Sequence, residues 1–178
     1  MSPEFSRPIR LDSLGAEPRR FEIEADETER AALAGRFGLL SIGRLAAEAV
    51  LTRTGTAITA AGSLAAEVVQ SCVATGEPVP ATVKERFRID FQPQPAGTLP
   101  DEEVELGERE LDTVFYEGGS IDLGEAVAET LSLSLDPYPR CPAAEAALKE
   151  AGVASEEQAR AELGPFAGLA ALKGKLEK

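Results

Sequence analysis

Lys84, Arg86 and Arg88 stand at alternate positions of the 178-residue chain, and side chains two apart in an extended strand share one face. Cations at that spacing can follow a phosphate backbone, or they can be the solvated outer face of a strand. Arg140 is a further candidate for the same contact. Cys72 and Cys141 are the two thiols of the chain. They could meet as a redox pair, share a metal with carboxylates, or be buried and inert, and neither has a neighbouring Cys, His or Lys cluster to activate it. Asp122 and Glu125 could be posed as a catalytic carboxylate pair. Their spacing ahead of an apolar run is that of a helix N-terminus, where capping satisfies backbone donors without chemistry. The acidic run at 101–112 could take a divalent cation through oxygen ligands, but it lacks the spacing of a calcium loop and reads as a solvated loop. Near the end of the chain, Phe166, Leu169 and Leu172 form an apolar stripe beside Lys173. Such a stripe fits either docking on the core or capture by a partner's groove.

What is missing narrows the chemistry further. The chain has no His, which excludes Ser-His-Asp and Cys-His nucleophiles, His-ligated zinc and a His proton shuttle. Two Cys cannot close a four-Cys zinc site within one chain. The expectation is a protein that is not an enzyme and holds no cofactor or metal. The formal net charge is −13, which taken globally would repel nucleic acid. Located along the chain, residues 101–140 hold two basic against twelve acidic side chains, and the rest of the chain carries only −3. A near-neutral body with one acidic arm need not avoid RNA. No run approaches 18 apolar residues, so no membrane span is expected. The first residues offer no basic segment followed by an apolar run, and the expected location is the cytoplasm, with reduced thiols.

The elements that position these residues follow from period and punctuation. Val83, Glu85, Phe87, Ile89 and Phe91 fall on one face of a strand, and Lys84, Arg86, Arg88 and Asp90 fall on the other. Leu45-Ala46-Ala47-Glu48-Ala49-Val50 recurs nineteen residues later as Leu64-Ala65-Ala66-Glu67-Val68-Val69. Ala and Glu favour helix there, but the Thr-rich surroundings and the Gly55 turn favour an antiparallel hairpin. Asp26 with Glu29 opens a helix that Gly38 closes, and Asp122 opens another with Leu123, Val127 and Leu131 on its apolar face. The predicted fold is α+β: a mostly antiparallel β-sheet, open to barrel-like closure, with two packed helices and a C-terminal helical appendage. Its strands are expected at 7–11, 40–53, 57–73, 82–91 and 111–116, and its helices at 27–37 and 122–133. Residues 1–151 read as a single domain with a mobile acidic loop at about 93–110. Residues 152–178 read as a linker and amphipathic tail.

Several segments, in order along nearly the whole chain, together resemble a known family. They are Glu4-Phe5-Ser6-Arg7-Pro8-Ile9, Cys72 with Glu77-Pro78-Val79, and the stretch from Tyr116-Glu117-Gly118-Gly119 to Glu125. Leu131-Ser132-Leu133-Ser134-Leu135-Asp136-Pro137-Tyr138-Pro139 and the Pro165-Phe166-Ala167 to Lys173 tail complete the set. The chain resembles the YceD-type bacterial proteins, called large ribosomal RNA subunit accumulation proteins. The resemblance implies a non-enzymatic ribosome-biogenesis role in accumulation or maturation of 23S ribosomal RNA. The implied partners are 23S rRNA or its precursor, a large-subunit ribosomal protein, or both, with the oligomeric state unspecified. An acidic protein-only adaptor, binding a basic ribosomal protein or processing factor, is the alternative. Many relatives carry Cys-x-x-Cys where this chain has Cys72-Val73-Ala74-Thr75, so Thr75 replaces the second thiol and no metal site carries over.

Overall fold

Alternation, turn glycines and caps place most elements where the sequence puts them. The computed structural model describes residues 3–15, 17–94 and 113–153. In chain order they form β1 (Pro8–Arg10), β2 (Arg19–Glu24), α1 (Glu27–Phe37), β3 (Ser41–Thr54), β4 (Ala57–Ser71) and β5 (Pro78–Pro93). β6 (Thr113–Tyr116), β7 (Ser120–Asp122), α2 (Leu123–Ser134) and α3 (Ala144–Glu150) follow. The architecture is α+β. One sheet has the order β2-β3-β4-β5-β6, and β1 and β7 form a second, two-stranded sheet. β2 and β6 end the larger sheet with no pairing between them among the described residues, so it is open and not closed into a barrel. β1–β7, β2–β3 and β3–β4 are antiparallel, and β5–β6 is parallel. The expected tail helix lies outside the described residues.

The β3–β4 hairpin shows why strand wins over helix in an Ala- and Glu-rich sequence. Thr54 pairs with Ala57 across a two-residue loop, and Gly55 adopts φ +64° at its first position. A positive φ there matches the twist of the flanking strands and is open to glycine at no steric cost. Alternation then sends Leu45, Ala47, Ala49, Leu51, Ile58, Ala60, Leu64, Ala66 and Val68 inward, where all are buried. The facing positions are small for a reason. A Cβ built on Gly62 would lie 2.0 Å from the Glu48 carbonyl oxygen, so the strands pass too closely for any side chain.

Two compact units divide the described residues: those up to Gln70 with those from Pro78 to Pro137, and Ser71–Glu77 with those from Tyr138 on. In the first, α1 packs on β3, and α2 packs on β5 and β1. Their shared core includes Phe5, Leu33, Leu45, Phe91, Val127 and Leu131. The caps tie it together. Asp26 and Glu29 form the capping box, and Glu29 also takes both Arg7 guanidinium nitrogens at 2.6 and 2.8 Å. That hydrogen-bonded arginine holds the Glu29 carboxyl below its ordinary pKa. Asp122 caps α2 by accepting from the Gly124 and Glu125 amides, and also accepts from the Arg7 amide and the Ser6 hydroxyl. Glu125 does not reciprocate as a capping box would; it pairs with Arg36 at 2.8 Å.

In the second unit, residues 71–77 form a tight turn. The Cys72 amide donates to the Glu77 carbonyl and the Gly76 amide to the Cys72 carbonyl. The Val73 amide reaches the Pro139 carbonyl at 2.9 Å, joining the turn to the segment that carries Cys141.

Candidate functional site

β5 presents the basic stripe as the alternation predicts. Phe87, Ile89 and Phe91 are buried, and Lys84, Arg86 and Arg88 are exposed. Glu85, expected on the apolar face, is exposed as well. Thr59 of β4 donates to Asp90 at 2.5 Å, which fixes the stripe on the same outer face as the β4 residues Thr59, Ala61, Ser63 and Ala65. Those four neighbours are small, and the next position of β4 on that face is the exposed carboxylate Glu67.

Ion pairing is sparse at this end of the face. Among the described residues, Arg88 alone of the three has a carboxylate partner, Asp90, at 3.7 Å. That distance is loose, and the Arg88 side chain remains 68% exposed. Arg86 and Arg88 also border a depression of about 300 Å³ with Phe87, Thr113, Glu129 and Leu133. The Thr113 hydroxyl there is buried with no hydrogen-bond partner among the described residues, and Leu133 is 88% exposed. This strip therefore combines the two arginines with the Glu129 carboxylate and an exposed apolar side chain.

The β2–β3 end of the same sheet is built differently. Arg20 reaches Glu48 at 2.5 Å and Glu22 at 3.2 Å, and Arg44 reaches Glu24 at 3.3 Å. A depression of about 470 Å³ lies here, walled by Glu22, Glu24, Arg44 and Glu48. Three carboxylates against one arginine in that wall repel phosphate, so its size does not make it the anion site.

Arg140 is exposed and belongs to the unit that carries the thiols. Phe166, Leu169, Leu172 and Lys173 lie outside the described residues, as do residues 95–112, which hold the whole acidic run at 101–112. Among the described residues, no group of three or more His, Cys, Asp or Glu side chains could hold a metal ion, and no helix is long and apolar enough to cross a membrane.

The structure brings together two residues that the sequence leaves apart. Cys72 and Cys141 are both free and buried, and the Cys141 amide donates to the Cys72 sulfur at 3.3 Å. Thr75 Oγ1 lies 3.2 Å from Cys141 Sγ, and the Cys141 thiol donates to Glu77 at 3.0 Å. The donated Cys141 amide, with the Thr75 hydroxyl, lowers the Cys72 pKa to about 6. At Cys141 the Thr75 hydrogen bond pulls the other way, but the Glu77 carboxylate and burial keep that thiol above its ordinary value.

A family model described as Large ribosomal RNA subunit accumulation protein YceD matches residues 60–173. The matched span takes in most of β4, all of β5, α2 and the thiol-bearing unit's described residues, with Lys84, Arg86, Arg88 and Arg140 inside it; β2 and β3 lie outside it. No curated protein and no solved structure matches the chain.

Proposed function

The chain belongs to the family described as Large ribosomal RNA subunit accumulation protein YceD, and from that membership we propose that it is a non-enzymatic ribosome-biogenesis factor. It supports accumulation and maturation of 23S ribosomal RNA in the cytoplasm by holding RNA phosphate on the outer face of β5. The observation that carries this reading is the exposed row Lys84, Arg86 and Arg88, weakly neutralised and lying within the matched span. Phosphate neutralisation by such cations releases counterions, so binding falls steeply with salt. The formal charge of −13 does not oppose this, because the excess is concentrated in residues 101–140.

The experiment is a salt titration of binding to a 23S rRNA precursor fragment, with the full chain and with Lys84, Arg86 and Arg88 all replaced by Gln. Weaker binding and a shallower salt dependence in the variant support the contact; unchanged affinity and slope would overturn it. A second reading, an adaptor that binds a basic ribosomal protein and never touches RNA, is favoured by the twelve acidic residues of 101–140. Crosslinking in cells separates the two. RNA crosslinks to β5 support the first, and RNase-resistant co-purification that needs residues 101–117 supports the second.

A further inference from the structure

We propose that Cys72 and Cys141 form a dithiol site that hydrogen peroxide converts into an intramolecular disulfide. The thiols lie 69 positions apart in sequence, yet the turn at 71–77 and the segment at 139–141 hold them as neighbours through backbone hydrogen bonds. Their immediate surroundings divide the labour. Cys72 sulfur accepts the Cys141 amide, the environment of a thiolate. Cys141 sulfur donates to Glu77 Oε2, the environment of a thiol with a proton acceptor beside it. The pKa of Cys72, lowered to about 6, makes it the nucleophile at neutral pH, and Cys141, held protonated, resolves. Burial of both sulfurs favours a small oxidant over a bulky disulfide.

The steps balance as follows. The Cys72 thiolate attacks one peroxide oxygen, the O–O bond breaks, and hydroxide leaves, taking a proton to become water. Cys72 is then a sulfenic acid, two electrons more oxidised. Cys141 passes its proton by way of Glu77 and attacks the Cys72 sulfur. The S–O bond breaks, the oxygen leaves as a second water, and the disulfide forms. Peroxide is the sole oxidant, and a thiol reductant reverses the change through a mixed disulfide.

This site is independent of RNA binding, and its test needs no RNA. The purified full chain is treated with hydrogen peroxide, and thiol titration, intact mass and a non-reducing peptide map are read. The expected result is loss of both thiols, a mass lower by two hydrogens, one peptide pair joined through Cys72 and Cys141, and recovery with dithiothreitol. Cys141→Ser should stop at a Cys72 sulfenic acid that a cyclic dione traps. Glu77→Gln should form the disulfide several-fold more slowly with the same end point. Retained thiols, separate oxygenation of each cysteine, or only intermolecular crosslinks in the wild-type chain would overturn the proposal. The wild-type map decides alone if a variant fails to fold.

Discussion

The two ends of the exposed sheet face carry similar numbers of arginine and lysine side chains but treat them differently. At the β2–β3 end, Arg20 and Arg44 are matched by Glu22, Glu24 and Glu48 at 2.5 to 3.3 Å. At the β5 end, among the described residues, only Arg88 of the three cations Lys84, Arg86 and Arg88 has a carboxylate partner, Asp90, at 3.7 Å. The difference shows that a count of basic residues says little about anion binding. What matters is whether neighbouring strands supply carboxylates to the same face. Surface pairs of this kind contribute about 0–1 kcal/mol to folding, so their larger effect is to cancel local field. The family match adds an independent distinction, since it covers the sparsely paired end and not the matched one.

The comparison can be broken most decisively by removing its cationic side. Replacing Lys84, Arg86 and Arg88 with Gln should lower affinity for single-stranded rRNA by about tenfold to hundredfold at low salt. It should also reduce the log–log salt slope by about 2, as loss of three phosphate contacts implies. A titration showing less than a twofold change would leave β5 no different from β2. The reverse manipulation comes next in size. Glu22→Gln, Glu24→Gln and Glu48→Gln together free Arg20 and Arg44, and binding should strengthen by about threefold, with a slope steeper by roughly 1. If affinity stays flat, something other than carboxylate matching silences that end.

A smaller effect is expected at Asp90. Asp90→Asn removes the partner of Arg88 while keeping an acceptor for the Thr59 hydroxyl, and affinity should rise by about twofold, measured in the same titration. The smallest belongs to stability. Arg20→Gln should shift the unfolding free energy by less than about 1 kcal/mol in a denaturant titration. A larger loss would mean the matched end is structural, and not simply neutral.

Much of this site was legible in the residues. The alternation of 83–91 placed the stripe on β5, and Asp26, Glu29 and Gly38 bounded α1 at the residues observed. The hairpin was readable because Gly55 and the Thr-rich flanks outweigh Ala and Glu propensity. β2 was missed although Phe21 and Ile23 alternate with Arg20, Glu22 and Glu24. Six residues with four charges read as linker until β3 supplies a partner. β7 is three residues long and exists because β1 pairs with it, which no local window shows. The Arg36–Glu125 pair spans 89 positions and took Glu125 away from its expected cap role. Whether Cys72 and Cys141 meet was left open by the sequence, since the turn at 71–77 and the segment at 139–141 bring them together. The parallel pairing of β6 with β5 also had no local signal, because strand direction depends on the path of the chain between them.

The four hydrogen bonds gathered by Asp122 set an order in time. A chain made from its N-terminus outward has Ser6, Arg7 and β1 in hand almost from the start, but their acceptor and partner strand arrive more than 100 residues later. β2, β3 and β4 can pair as soon as they emerge, whereas the first strand must wait and bear the closure entropy of that long loop. The N-terminal segment therefore cannot lock until residues 120–122 have been made, and the β1–β7 pairing closes after the β2–β3–β4 pairings that lie between its strands in sequence.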